Sequence, residues 1–151
     1  MTIGKILVPV DFSEHSERAL AYALEFAKGV GAEVDVLHVF PVAPLFKTDL
    51  LVIPTRGGNA LPVRDALRLE AEEDLERFLS NCAKRSVVAR RSEVIPGTPA
   101  TSIVKYAAEH QYDLIVMGTR GRTGPSRILL GSVAQRVVEH SPCPVLTTRA
   151  S

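Results

Sequence analysis

The feature that most restricts the fold of this chain is a pair of nearly continuous apolar runs, at residues 3–10 and 114–117. A β-strand with one face in water alternates apolar and polar side chains, whereas a strand covered on both faces is apolar throughout. Strands covered on both faces are typical of parallel sheets that lie between two layers of helices. The two runs therefore predict the parallel sheet of an α/β protein.

Patterns with helical period separate the predicted strands. After the first strand, apolar residues recur at helical spacing from Ala19 to Ala27, with Ser13 as the expected N-cap and Gly29 or Gly31 as the stop. Further strands are predicted at 34–40, 87–95, 113–117 and 145–148, and further helices are predicted to begin near residues 67, 99 and 132. The alternation of five strands with four helices predicts one three-layer α/β domain over residues 1–151.

Two segments depart from this regular pattern. The charged residues Arg90, Arg91 and Glu93 interrupt the third predicted strand, which indicates an edge of the sheet. Residues 41–61 have no clear periodicity and contain a glycine-rich turn signal, so we expect a long loop there. Loops of this length are commonly functional or disordered. The sequence leaves two alternatives for the apolar side chains around Phe46: packing on the sheet or packing on a partner.

Composition argues against several classes of protein. The 18 basic and 17 acidic side chains leave a net charge of +1, too low for a chain held to nucleic acid mainly by phosphate neutralisation. No apolar run approaches the roughly 20 residues that a membrane-spanning helix needs, and the N-terminus lacks the apolar region of a signal peptide. Cys82 and Cys143 are too far apart for a C-x-x-C pair. We therefore expect a cytoplasmic protein with reduced thiols that binds neither nucleic acid nor membrane.

The most informative motif is a set of glycines after the fourth predicted strand. Gly118 and Gly121 are separated by two residues, and nine more precede Gly131 and Ser132, where a helix is predicted to begin. Three arginines and no acid lie within this segment: Arg120, Arg122 and Arg127. A glycine at the end of a strand lets the backbone turn at positive φ and lets a ligand approach, while unpaired N–H groups at a helix N-terminus attract anions. A lone glycine is more often a simple turn, but the full set predicts an anion site.

This G-x2-G-x9-G-S pattern, together with the Ser-Pro-Cys-Pro-Val-Leu tail at 141–146, resembles the universal stress proteins. The resemblance extends through residues 9–11, 36–40, 97–100 and 113–118 in the order of that family, and leaves only the 41–61 loop unassigned. It implies a Rossmann-like sheet of the adenine nucleotide α-hydrolase type with strand order 3-2-1-4-5. Because the glycine pattern is complete, it also implies the ATP-binding branch of the family.

The resemblance further implies a nucleotide site beyond the carboxyl ends of the first and fourth strands, where ligands bind in such sheets. The base and sugar would be bordered by Pro9, Val10, Asp11, Val39, Met117 and Gly118. The phosphates would be bordered by Arg120, Gly121, Gly131, Ser132 and Val133, with Mg²⁺ or Mn²⁺ held mainly by phosphate oxygens. Asp11 would contact the ribose or the adenine, although taken alone it would also serve as a helix N-cap. Arg122 and Arg127 lie nearby without an assigned contact.

Other chemistries lack their signatures in this sequence. The four histidines show no metal-binding spacing, and His38, within an apolar strand, is expected to be a hydrogen-bonded core residue. The P-loop, the G-x-G-x-x-G fingerprint and the G-x-S-x-G elbow are all absent. The acidic run at 70–74 is interpreted as the solvated face of a helix. We therefore assign neither a catalytic residue nor a protein metal site.

Two functions remain in competition on this fold. The first is an ATP-binding regulatory or stress-response module, whose nucleotide sets the conformation of its loops or its surface for an unidentified protein partner. The alternative is a slow ATPase or a nucleotidyl-transfer enzyme. Efficient hydrolysis needs a group that orients water beside the γ-phosphate, and residues 119–130 contain no Asp, Glu, Gln or His, which favours binding. A third alternative, a phospho-receiver domain of similar architecture, would need a cluster of acidic residues at the end of the first strand. Asp11 is the only acidic residue there.

The fifth predicted strand, 145–148, lies at one edge of the implied sheet. Pro144 precedes this strand and Arg149 follows it, so neither proline nor charge within it prevents pairing with another strand. The resemblance also implies a dimer through this strand. We therefore predict a two-fold homodimer in which strand 145–148 pairs antiparallel with its copy.

Overall fold

The structure of the chain is a computed structural model that describes residues 2–42, 50–83, 89–120 and 130–149. Its elements are, in chain order, β1 (Lys5–Pro9), α1 (Glu14–Val30), β2 (Glu33–Phe40), β3 (Leu51–Val52), β4 (Leu61–Pro62), α2 (Val63–Ala83), β5 (Arg91–Pro96), α3 (Pro99–Glu109), β6 (Leu114–Gly118), α4 (Ser132–His140) and β7 (Val145–Thr148). Four residues singled out in the sequence lie outside the described ranges: Phe46, Gly121, Arg122 and Arg127.

Five of the strands form one parallel sheet in the order β5-β2-β1-β6-β7. With the two short strands β3 and β4 left out of the count, this is the order 3-2-1-4-5. Helices α1 and α2 pack on one face of the sheet, and α3 and α4 pack on the other. The central strands are covered on both faces, so that Leu7 and Val8 in β1 and Ile115 and Val116 in β6 have no exposed surface. The predicted α/β fold is therefore confirmed, including its strand order.

Local sequence signals account for the ends of the first and third helices. The Oγ of Ser13, the N-cap of α1, accepts the N–H of Ser16 at 3.2 Å, and α1 ends at Gly31 with φ 72. A left-handed backbone conformation of this kind favours glycine, which explains why the helix ends here. Helix α3 begins at Pro99 after Thr98, whose side chain makes no capping bond.

None of the helices within the described ranges is long and apolar enough to cross a membrane.

The described part of the predicted loop at 41–61 forms most of a short hairpin, which ends one residue beyond it at Pro62. Strands β3 and β4 pair antiparallel, with Leu51 opposite Pro62, and the connection turns at Gly57, which has φ 86. Strands of two residues are too short for an alternating pattern to reveal them. The hairpin contacts helix α2 through Arg56, which forms an ion pair with Glu73. The acidic face of α2, predicted to be solvated, is therefore partly covered by this hairpin.

Strand β5 lies at the edge of the sheet, as its charged residues predicted, and it begins at Arg91. Residues 87 and 88 of the predicted strand lie outside the described ranges. Its start is attached to β2 by the preceding residue, since Arg90 donates two hydrogen bonds to Asp35, at 3.0 and 2.6 Å. The hydroxyl of Tyr112 donates to the same carboxylate at 2.9 Å. Burial, followed by this hydrogen bond, raises the pKa of Tyr112 above its usual range. These contacts explain how Asp35 can be only 4% exposed within an apolar strand.

Candidate functional site

A cavity of about 200 Å³ opens at the carboxyl ends of β1, β2 and β6. Its position follows from the topology, because the chain leaves β1 toward β2 on one side while β6 lies on the other. The end of a parallel sheet at such a reversal of strand order is the usual place for a ligand in open α/β folds. The topology therefore makes this cavity the first candidate for a functional site.

The cavity brings together ten of the eleven residues predicted for the nucleotide site. They are Pro9, Val10, Asp11, Val39, Met117, Gly118, Arg120, Gly131, Ser132 and Val133. The eleventh, Gly121, lies outside the described ranges. These residues come from four separate parts of the sequence, and the fold makes them neighbours around one space. Their individual contacts with a nucleotide stay predictions.

Seven further residues line the cavity without having been predicted to do so: Ser16, Leu37, His38, Pro99, Ile103, Thr119 and Ala134. Leu37 and Ile103 are almost fully buried and form part of an apolar wall of the cavity on the side of α3. Ile103 lies within the helix that the sequence predicts to begin near residue 99, but helical periodicity does not say which end of a core is open. Thr119 was within reach of sequence reasoning, since it follows Gly118 in the glycine motif.

The N-terminus of α4 faces this cavity without a side-chain cap. Gly131 is the N-cap. In the first hydrogen bond of the helix, the N–H of Gln135 donates to the carbonyl of Gly131 at 2.9 Å. The N–H groups of Ser132, Val133 and Ala134 precede that bond, and they have no partner among the residues that the structure describes. A helix end of this kind carries partial positive charge and attracts anions.

A cationic side chain lies close to this helix end. The N–H of Gly131 donates to the carbonyl of Thr119 at 2.7 Å, which places the next residue, Arg120, beside the start of α4. Arg120 also lines the cavity. Arg120 and the uncapped end of α4 therefore line the same cavity.

The turn between β1 and α1 holds Asp11 at the cavity. One carboxylate oxygen, Oδ1, accepts hydrogen bonds from the N–H of Ser13 at 3.1 Å and from the Oγ atoms of Ser13 and Ser16, both at 2.5 Å. The N-cap of α1 is Ser13. The simpler interpretation of Asp11 as the helix N-cap is therefore wrong, and its carboxylate instead forms the centre of a small polar cluster.

Gly118 has a packing role that the motif did not reveal. A Cβ at this position would lie 2.9 Å from the Cβ of His15 and 3.1 Å from its carbonyl carbon and oxygen, so the first turn of α1 rests directly on the glycine. The positive φ values of described glycines occur at other positions: Gly31, Gly57, Gly58 and Gly97. The expectation that Gly118 turns the backbone at positive φ is therefore wrong, and its close neighbour in the structure is a helix.

This packing predicts that Gly118→Ala lowers stability even without a ligand. The added methyl group must displace the α1 backbone, and overpacking of this kind typically costs about 1–3 kcal/mol. The measurement is urea unfolding of the ligand-free protein. Gly29→Ala is the matched control, since a Cβ at Gly29 in α1 would meet nothing within 4 Å and alanine favours a helix over glycine. Unchanged stability of Gly118→Ala would contradict the packing argument.

The fold and the cavity define a class: an open parallel α/β domain with an anion-attracting helix end at the reversal of its strand order. Comparison with known proteins makes this specific, because the profile of the universal stress protein family matches residues 2–149. The chain belongs to this family. A universal stress protein of Methanocaldococcus jannaschii is 39% identical to it over 145 residues, which cover 96% of this chain and 81% of that relative.

Solved structures of similar proteins share the fold. The universal stress protein UspA from Lactobacillus plantarum superimposes with a TM-score of 0.74 at 28% identity, with 99% of each chain covered. The universal stress protein from Archaeoglobus fulgidus in complex with dAMP gives a TM-score of 0.62 at 27% identity, and the match covers 97% of this chain and 98% of that one. The resemblance seen in the sequence is therefore confirmed at the level of the family.

Proposed function

We propose that this chain binds ATP in the cavity at the ends of β1, β2 and β6 and serves as a nucleotide-dependent regulatory or stress-response module of the cytoplasm. The observation that carries the proposal is the uncapped N-terminus of α4, which faces the cavity next to Arg120. The dAMP complex of the Archaeoglobus fulgidus relative supports an adenine nucleotide as the ligand of this fold.

The phosphates would bind at the α4 end of the cavity. The unpartnered N–H groups of Ser132 and Val133 are suited to phosphate oxygens, and the hydroxyl of Ser132 adds a further donor. Gly131 leaves the approach to these groups free of a side chain. Arg120 would supply the charge that balances part of the triphosphate.

The base and sugar would lie at the end of the cavity formed by β1 and β2. Pro9 and Leu37 are the last residues paired between these strands, and the carbonyl of Leu37 accepts the N–H of Val10. Val39 lies two residues after Leu37, so its backbone N–H and C=O point to the same side of β2 as those of Leu37, toward β1. They lie beyond the last residues that pair β1 with β2. That geometry supports hydrogen bonds from the Val39 backbone to a base edge, while Asp11 would accept from a ribose hydroxyl or a base amine.

A divalent ion would accompany ATP rather than occupy a site built by the protein. Asp11 is the one carboxylate among the described residues that line the cavity, and its Oδ1 already accepts three hydrogen bonds. Mg²⁺ commonly binds through one or two carboxylates together with phosphate oxygens and water. The residues present therefore fit Mg²⁺ or Mn²⁺ held mainly by the phosphates.

The same inventory favours binding over turnover. Hydrolysis would need a base or a water-orienting group beside the γ-phosphate. The ring nitrogen Nδ1 of His38 lies 2.8 Å from the carbonyl of Val10, so this histidine is hydrogen-bonded as predicted, although it is half-buried and lines the cavity rather than the core. Asp11 belongs to the serine cluster. A slow ATPase is the alternative, and release of phosphate from ATP at a rate above the uncatalysed one would support it.

The proposal predicts that ATP with Mg²⁺ binds and raises the melting temperature, because a ligand of the native state alone stabilises it by mass action. Protein purified without added nucleotide should also release ATP on denaturation, detectable by mass spectrometry. Guanosine triphosphate is the control ligand with the same phosphates. Absence of both calorimetric heat and a thermal shift at millimolar ATP would overturn the proposal.

We also propose that the active form is a homodimer joined through β7. The carbonyls of Pro144 and Thr148 accept the N–H groups of Ile115 and Thr119, both at 3.0 Å. Backbone polar groups alternate in direction along a strand, so those of Thr147 point away from β6. β7 is an edge strand of the described sheet, and this outward face is suited to an antiparallel copy of itself.

A further inference from the structure

Ser16, in the first turn of α1, contacts Asp11 at two points. Its Oγ accepts the backbone N–H of Asp11 at 2.9 Å and donates to the carboxylate Oδ1 at 2.5 Å. Ser16 is only 5% exposed, so these bonds are shielded from water. One buried hydroxyl therefore fixes both the backbone and the side chain of Asp11.

The turn that carries Asp11 is strained and is supported from the other side as well. Phe12 has φ 66, which is uncommon for a residue with a bulky side chain. Its ring lies 4.2 Å from that of His38 and 5.7 Å from that of Phe78. Strained backbone persists only where its surroundings determine it, and it concentrates at functional sites. The contacts of Phe12 and of Ser16 together hold the turn in one conformation.

We propose that Ser16 is a positioning residue for nucleotide binding, which acts through Asp11 and makes no essential contact with the ligand itself. It holds the carboxylate in its binding orientation before the nucleotide arrives, so that less side-chain freedom is lost on binding. This inference rests on the proposed function, because it requires that Asp11 contacts the nucleotide.

A purely structural role for Ser16 makes a different prediction. Ser13 caps α1, so the loss of the Ser16 hydroxyl leaves that capping bond in place. If Ser16 only stabilised the helix, its removal would lower the free energy of unfolding and leave the affinity for ATP unchanged. If it contacted the nucleotide directly, its removal would weaken binding even in a protein without Asp11.

The experiment is a double-mutant cycle measured by calorimetric titration of ATP with Mg²⁺. The four proteins are wild type, Ser16→Ala, Asp11→Ala and the double variant. Ser16→Ala should weaken binding about tenfold, in line with the loss of a hydrogen bond to a charged group. The double variant should bind no more weakly than Asp11→Ala, because two residues that act through one contact are not additive.

Two further variants keep the test decisive. Ser16→Cys nearly preserves the volume but replaces the hydroxyl with a weak donor, so it should also weaken binding and guards against a fold defect in Ser16→Ala. Tyr112→Phe is the matched control, since it removes another hydroxyl donor to a buried carboxylate, that of Asp35, outside the cavity. It should leave the affinity unchanged.

The outcomes separate this inference from the proposed function. No binding by the wild type would overturn both. If the wild type binds and Asp11→Ala binds more weakly, wild-type affinity in the folded Ser16 variants would overturn the positioning role alone. Equal losses from Ser16→Ala with and without Asp11, or an equal loss from Tyr112→Phe, would overturn it too.

Discussion

Replacement of Gly131 by valine should abolish the ATP-dependent rise in melting temperature while the domain stays folded. Gly131 has φ −61 and ψ 152, which valine adopts without strain, and valine keeps the N–H that donates to Thr119. The new side chain would stand at the N-cap of α4, where we propose that the phosphates bind. A β-branched group there would obstruct a phosphate more than it disturbs the core.

The size of this effect follows from linkage. ATP at 100 times its Kd stabilises the native state by about 2.7 kcal/mol, which corresponds to a rise of roughly 5–10 °C for a domain of this length. Differential scanning calorimetry with and without ATP measures the rise, and far-UV circular dichroism checks the fold. Gly29→Val, in open space on α1, is the control that should keep the rise. A folded Gly131→Val protein with undiminished ATP affinity would mean that this glycine serves only as a turn.

Thr147→Pro should convert the proposed β7 dimer into a monomer. The backbone N–H and C=O of Thr147 point away from β6, because backbone groups alternate along a strand and the carbonyl of the next residue, Thr148, faces β6. Proline therefore removes a donor from the outer edge of the sheet and spares the bonds to β6. By two-fold symmetry the ladder between the subunits is disrupted twice, which explains why one substitution is expected to have so large an effect.

Light scattering at matched concentrations tests this prediction. The mass of the wild type should correspond to two chains of 16.4 kDa and that of Thr147→Pro to one. Thr147→Ala retains the N–H and should remain dimeric, which separates the role of the backbone from that of the side chain. A monomeric wild type, or a folded Thr147→Pro protein that remains dimeric, would refute the β7 interface and make the segment from Leu50 to Ile53 the next surface to test.

The parts of the fold that were predictable are those for which local sequence and tertiary structure agree. Burial on both faces leaves a direct record in a nearly continuous apolar run, so β1 and β6 were found from their apolar pattern alone. Ser13 marked the start of α1, and of the two glycines predicted as its stop the structure selects Gly31, because a cap and a left-handed residue have strong chemical preferences. The strand order, by contrast, came from resemblance, since periodicity does not specify which strands are neighbours.

The parts that were missed depend on contacts between distant segments. The sequence places Ser16 on a helix and His38 on a strand, but only the fold shows that both support the turn of Asp11. The left-handed conformation of Phe12 has no signal of its own, since phenylalanine rarely adopts it. The same limit applies to Gly118, where the motif suggested a ligand and the close neighbour is His15.

The contact between His15 and Gly118 gives the first glycine of the motif a requirement that Gly131 does not share. A related chain that lost its nucleotide but kept this fold would still need glycine where α1 lies against β6. The backbone angles at Gly131 suit any residue, so a larger side chain could accumulate there once binding no longer mattered. We therefore expect the first glycine to be required by the fold with or without a ligand, and the last to be required only by the proposed nucleotide.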